Sequence, residues 1–110
     1  MGFGAFVDKP VLPYISLAPT EINDTETCKN VNCDEPWGFR NYVKLTTSAE
    51  DVEVAISNAP VAVNLDPLEG GFDGVMQAMV CKEVIGWEDG TQKMIVYLSD
   101  ATPHMAGDGK

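Results

Sequence analysis

An α/β fold is predicted by strand-like and helix-like patterns that alternate along a chain of 110 residues, about the length of one domain. Apolar runs of strand character lie at residues 3–7, 42–47 and 94–98. Between them, apolar residues recur at helical spacing after Ser48 and again through Phe72, Val75, Met76 and Met79. A domain of this length buries about two thirds of the surface its unfolded chain exposes, so the expected core is modest.

Taken in order, Phe3, Ala5 and Val7 alternate with Gly2, Gly4 and Phe6 and give a first strand. An extended run at 11–16 carries prolines at 10 and 13 and reads as an irregular edge segment. Residues 17–39 have little periodicity and form a long loop in which Cys28 and Cys33 are close enough to bridge. The strand at 42–47 leads to Ser48, a helix N-cap with Asp51 three residues on, close to a capping box, and a short helix with Val52, Ala55 and Ile56 on one face. A second helix starts close to Gly70 and runs to about Cys81, and its Phe72, Val75, Met76 and Met79 stripe is expected in the core. Residues 94–98 read as a buried strand that delivers Asp100 to its C-terminal end, where ligands bind in open α/β sheets.

Charge narrows the class of partner. Seven Lys plus Arg stand against 17 Asp plus Glu, a formal net charge of −10, which disfavours nucleic acid and anionic membrane surfaces and favours cations and basic surfaces. The hydrophobic fraction of 45% is that of a folded protein. No apolar run approaches the roughly 18 residues of a membrane span. Met1-Gly2-Phe3-Gly4-Ala5-Phe6 lacks a basic secretory leader, and Phe6 stands where a myristoylation signal needs Ser or Thr. The three cysteines do not have zinc-site spacing. If Cys28 and Cys33 are bridged the compartment is oxidising, and Cys81 then pairs outside the chain. The sequon Asn23-Asp24-Thr25 points weakly the same way.

The stretch Asn64-Leu65-Asp66-Pro67-Leu68-Glu69-Gly70-Gly71 crowds an amide and two carboxylates together and then frees the backbone with glycines. Oxygen donors of this kind satisfy a hard divalent cation such as calcium or magnesium. The same residues also form ordinary acidic turns. Glu69, at the start of the second helix, is favoured by the helix dipole by about 0.3 to 1 kcal/mol. Gly2-Phe3-Gly4 is no dinucleotide fingerprint, since Val7 replaces the third glycine, and no phosphate loop occurs. His104, the single histidine, could serve a metal or a base, but a lone His in a loop is more often solvated or structural, and a hydrolytic triad has little support. A metal-assisted hydrolase using Asp66, Glu69 and Asp100 is the enzyme alternative, but it lacks an evident general base.

Several blocks occur in order across essentially the whole chain: Gly2-Phe3-Gly4-Ala5-Phe6-Val7-Asp8-Lys9, Val11-Leu12-Pro13-Tyr14, the Asn64 to Gly71 motif, Cys81 with Ile85-Gly86-Trp87, and Ala106-Gly107-Asp108-Gly109-Lys110. Together they resemble the βI (I-like) domain of integrin β subunits. The resemblance implies a von Willebrand factor A-type open sheet flanked by helices, extracellular display on a single-pass receptor at the cell surface, and an integrin α-subunit partner. It also implies that the extracellular protein ligand offers an acidic residue to a bound cation, with no reaction catalysed and no membrane contact by this segment itself.

Residue roles follow from the same resemblance. Asn64, Asp66 and Glu69 match side-chain ligands of a synergistic metal site, and Leu68 stands where a backbone carbonyl is supplied. Glu69 also matches a ligand of the metal-ion-dependent adhesion site, and Asp100 matches the carboxylate near it; Asn64 and Glu69 count as ligand-binding positions. The implied cations are Mg2+ or Mn2+ at the adhesion site and Ca2+ at its neighbours. Cys28 and Cys33 match the disulfide of the specificity-determining loop, about 17–39, which helps choose the ligand. The resemblance also implies that Cys81 pairs with a cysteine beyond Lys110, while the sequon by itself marks Asn23 as a glycosylation site.

The pattern departs from the family at two places. The family commonly has Pro immediately before the Glu, whereas Pro67 stands one place earlier here, Leu68 takes that position, and Asp66 is biased to extended backbone. The family's Asp-x-Ser-x-Ser strand, central in the sheet between the strands near Phe3 and Val96, is missing. Residues 1–110 are therefore expected to be an internal, partial βI domain, and a truncated product without autonomous activity is the bland alternative.

Overall fold

In the computed structural model, residues 1–11, 28, 33–63 and 67–107 are described. The short β1 (Phe3–Ala5) pairs antiparallel with β3 (Arg40–Val43), Phe3 opposite Val43 and Ala5 opposite Arg40, with a register shift after Phe3. The rings of Phe3 and Tyr42 stack across this pair with centroids 5.8 Å apart. The strand expected at 42–47 thus begins two residues earlier and ends at Val43, and the chain beyond it is held by other means. Leu45 N–H donates to the Ile85 carbonyl at 2.8 Å, and Thr46 exchanges backbone bonds with Met1.

The first helix begins where its cap predicts. In α1 (Ala49–Ser57), Ser48 has extended backbone and its hydroxyl accepts from Asp51 N–H at 3.2 Å. The reciprocal arm of a capping box is not used. Ser48 N–H instead donates to the Thr46 hydroxyl at 3.1 Å, which satisfies the same group from the other side. Of the expected apolar face only Val52 is buried, Ala55 is half-buried and Ile56 is exposed.

Beyond α1, β4 (Val61–Ala62) runs parallel to β2 (Cys33–Asp34), and β5 (Leu68–Glu69) runs parallel to β6 (Thr102–Pro103). Between β5 and β6 lie α2 (Gly71–Val80) and the one-turn α3 (Lys82–Ile85). Gly86 ends α3 at φ 87, a left-handed conformation that glycine adopts without a Cβ clash, and its N–H closes the turn on the Lys82 carbonyl at 2.8 Å. Mixed helix and strand content fits the α/β expectation. The ladders among the described residues are three separate two-stranded pairs, not one continuous sheet.

Two expectations of burial are overturned. Most of the α2 stripe does not lie in the core: Phe72, Met76 and Met79 are exposed at 57%, 56% and 64% and Val75 is half-buried, while Gly71 and Gly74 are buried. Close approach explains the choice of face. A Cβ on Gly74 would meet the Phe6 side chain at 3.1 Å, and one on Gly71 would collide with the Tyr97 ring and hydroxyl. The helix therefore packs through its small residues, and the large ones point away.

Residues 94–98 likewise form no β-ladder among the described residues. Exposure nevertheless alternates, with Met94 at 78%, Val96 at 70% and Leu98 at 82% against 38% for Ile95 and Tyr97. The run thus has the period of a strand but no hydrogen-bonded neighbour to make it one. Tyr97 stacks on Phe6 at 5.5 Å. Between this run and β1 opens a cleft of about 1170 Å³, lined on one side by residues of β1 and on the other by 94–100.

The buried apolar residues among those described are Val7, Cys28, Trp37, Val52 and Ile85. Trp37 binds the end of the long loop to β1. Its indole N–H donates to the Ala5 carbonyl at 3.2 Å, and its own carbonyl accepts from Val7 and Asp8 at 3.0 and 3.1 Å. Arg40 lies over the Trp37 ring at 4.3 Å and pairs with Asp34 at 2.9 Å, and the Asp34 carboxylate holds the guanidinium above its usual pKa range.

Cys28 and Cys33 are joined, with Cα atoms 5.6 Å apart, and Cys81 carries no disulfide. Peptide mapping of the native protein, digested without reductant, is expected to give the Cys28–Cys33 link and no link from Cys81 to either. A Cys28–Cys81 link would overturn this pairing.

Candidate functional site

Glu69 is positioned by three segments that converge on the start of α2. The first is the segment after β1: Gly70 N–H donates to the Val7 carbonyl at 2.8 Å, and a Cβ on Gly70 would meet the Asp8 Cα at 3.1 Å, so glycine is what lets the two backbones approach. The second is β6, where Glu69 pairs with Pro103 and its carbonyl accepts from His104 N–H at 3.0 Å. The third is α2 itself, with Gly70 as its N-cap and no side-chain cap. Glu69 immediately precedes that cap, where its charge is favoured by the helix dipole.

A side-chain contact closes the circle. Asp8, at the end of the apolar run through Val7, is fully buried, and its Oδ2 lies 3.2 Å from His104 Nε2, itself on a side chain only 6% exposed. Its Oδ1 accepts from Lys9 N–H at 2.7 Å. A carboxylate accepts, so Nε2 is the ring nitrogen that donates. Of the two readings the sequence leaves for His104, solvated or structural, the structure has the second.

Asp100 sits in an exposed bend after residues 94–99, where the Ser99 hydroxyl accepts from Ala101 N–H at 3.3 Å. Asp100 and Glu69 line the same cleft. Leu68 is in β5, half-buried and paired with Thr102, one residue before Glu69. Asn64 and Asp66 lie outside the described residues, as do Asn23, residues 12–27 and 29–32 of the edge segment and long loop, and residues 108–110. Among the described residues no group of three or more His, Cys, Asp or Glu could hold a metal ion. Three acidic residues, Glu69, Glu88 and Asp100, line the cleft, and carboxylates are hard oxygen donors that fit calcium, magnesium or manganese and not a soft metal.

The residues that sequence reasoning missed are Asp8, His104 and Trp37. Asp8 carried one signal, a carboxylate directly after an apolar strand, which a buried position obliges to find a partner. Nothing in the spacing identified His104 as that partner, because 96 residues separate them. Asp73, in the first turn of α2, is half-buried and lies 3.7 Å from Lys9, an exposed pairing worth at most about 1 kcal/mol.

Comparison with known proteins gives one consistent result. The family described as integrin beta chain VWA domain matches residues 1–110. Over its full 110 residues the chain is 42% identical to integrin beta-PS of Drosophila melanogaster, covering 12% of that protein. It is 41% identical to integrin beta-7 of Homo sapiens and 41% to integrin beta pat-3 of Caenorhabditis elegans, again over 110 residues, covering 14% and 13% of them. The chain therefore spans about one seventh or less of the length of these relatives.

Proposed function

Because the chain belongs to the integrin β-chain VWA-domain family, we propose that it forms part of a cell-surface adhesion receptor whose extracellular ligand is held through a divalent cation. On this reading residues 1–110 contribute to a βI domain of von Willebrand factor A type that pairs with an integrin α subunit. The observation that carries it is the fixing of Glu69 from three sides at the start of α2, facing a cleft that Asp100 also lines.

Asn64, Asp66, the Leu68 carbonyl and Glu69 would hold one cation, and Glu69 with Asp100 nearby would serve the adhesion cation. A bound Mg2+ or Mn2+, with Ca2+ beside it, would supply an open coordination position for a ligand carboxylate. The chain's residues hold and orient: the backbone bonds of Gly70 and Glu69 keep the Glu69 carboxylate at the helix start, and its charge offsets the repulsion between a cation and that positive helix end. The loop at about 17–39, tethered by Cys28–Cys33 and by Trp37, would set ligand choice beside the α subunit. Asn23 would carry a glycan, and Cys81 would pair with a cysteine outside these residues. No reaction is involved. No helix among the described residues is long and apolar enough to cross a membrane.

Chelation tests this directly. In the complete receptor, excess EDTA is expected to lower binding of an acidic ligand peptide by at least about tenfold, and added Mg2+ should restore it. Equal binding with and without chelator would remove the cation from the proposal.

A further inference from the structure

In an Asp-Gly dipeptide the glycine nitrogen can close a ring on the aspartate side chain before it, because no Cβ obstructs the approach. The dipeptide occurs at 73–74, 89–90 and 108–109, the last outside the described residues. Composition does not separate the first two, but the fold does. Gly74 lies inside α2, where its N–H donates to the Gly70 carbonyl at 3.0 Å and a Cβ would meet the Phe6 side chain at 3.1 Å. Asp89 and Gly90 form an exposed turn beyond α3, with the Asp89 side chain 84% exposed and Gly90 at φ 75. No heavy atom lies within 4 Å of where a Gly90 Cβ would stand, and no backbone carbonyl among the described residues accepts from its N–H. Ion pairing does not decide between the sites, since Asp73 pairs with Lys9 at 3.7 Å and Asp89 with Lys82 at 2.6 Å. Such exposed pairs hold a carboxylate ionised and slow attack on it by at most about fivefold.

We propose that Asp89-Gly90 is a modification site, at which isoaspartate forms spontaneously, and that α2 protects Asp73-Gly74 from the same reaction. The Gly90 nitrogen attacks Asp89 Cγ in its protonated carboxyl form. The N–Cγ bond forms, the Cγ–OH bond breaks, and the hydroxyl leaves with the proton of the nitrogen as water. The succinimide then takes water back at one of its two carbonyls. Opening at Cγ restores aspartate, whereas opening at the Asp89 backbone carbonyl leaves the chain running through Cβ and Cγ, with its mass unchanged and water the only other reactant. The product carries one more backbone carbon between Glu88 and Thr91, which both line the cleft. It therefore alters the turn that the Thr91 hydroxyl closes on the Glu88 carbonyl at 2.9 Å.

The test ages the complete receptor, purified with its α subunit, in heavy-oxygen water at neutral pH. Each ring that reopens takes up one heavy oxygen whichever way it breaks, and peptide mapping reads both the label and the isoaspartate at each site. Label at Asp89 is expected to exceed label at Asp73 by at least about tenfold, because freeing Gly74 N–H breaks a packed helical hydrogen bond, while an exposed turn opens at almost no cost. In urea-denatured receptor, where neither turn nor helix persists, the two sites should agree within about threefold. Asp89→Glu keeps the charge but needs a larger ring, so it should abolish label at position 89 and leave Asp73 as it was. Equal label at the two sites in the native receptor, or none at Asp89, overturns the proposal. A tenfold ratio that persists in urea overturns the protection assigned to α2, since the neighbouring residues and not the fold would then set it.

Discussion

Glu69→Gln is expected to weaken cation-dependent ligand binding in the complete receptor more than any other single substitution in this chain. The change keeps the size of the side chain and one oxygen but removes a charge, at the residue proposed to serve two cation sites. Partners that merely support a ligating group are worth about 10- to 100-fold in metal affinity, so loss of the carboxylate itself should raise the Mg2+ requirement by at least about tenfold. Asp66→Asn should fall below it, since one proposed site is weakened instead of two. Asp73→Asn is the control: it sits one turn further on, in an exposed pairing with Lys9, and should stay within about twofold of the parent. The measurement is ligand adhesion over a Mg2+ titration with surface expression held equal, because a receptor that misfolds imitates a lost site. If Glu69→Gln binds as well as the parent at low Mg2+, residues 64–71 are an acidic turn and not a metal loop.

The isolated 110-residue chain, expressed by itself, is expected to unfold without a cooperative transition. Among the described residues its ladders are three two-stranded pairs, none longer than four residues on a strand, and a lone pair of strands is at best marginally stable in water. Met94, Val96 and Leu98 remain more than two thirds exposed, and α2 leaves Phe72, Met76, Met79 and Val80 on its open face. Apolar area left in water contributes nothing against the conformational entropy of about 1–2 kcal/mol per residue that ordering the chain costs. A stability below about 2 kcal/mol follows, against the 5–15 kcal/mol usual for a domain. Thermal melts and amide proton spectra of the fragment decide the matter. A sharp transition with dispersed signals would show that the cleft beside β1 costs less than this argument requires.

The sequence by itself determined where α1 begins and where α2 begins and ends, and it identified the family. Ser48 caps α1 as its hydroxyl predicts, Gly70 opens α2 and Cys81 closes it, and the apolar periods place β1, β3, α1 and α2 in that order, though not α3 or the two-residue strands. Those signals act within a turn or so of the chain, through the reach of one side chain to a nearby backbone group, so a one-dimensional reading can find them. It also marked Glu69 and Asp100 as oxygen donors that could meet at the end of the 94–98 run, and both line one cleft.

Tertiary structure alone decided which face of each element is covered and which distant residues meet. The stripe of Phe72, Met76 and Met79 has the right spacing for a core, but spacing says only that residues share a face, and Gly71 and Gly74 win the contact because their missing side chains admit Tyr97 and Phe6. Residues 94–98 alternate as a strand should, yet a strand exists only when a neighbouring backbone accepts its hydrogen bonds, and the described residues bring none to it. The meeting of Asp8 with His104 lies furthest from the sequence, across 96 residues. A buried carboxylate must be compensated, and that obligation names the kind of partner, while the close approach of the segments that follow β1 and β6 chooses the residue.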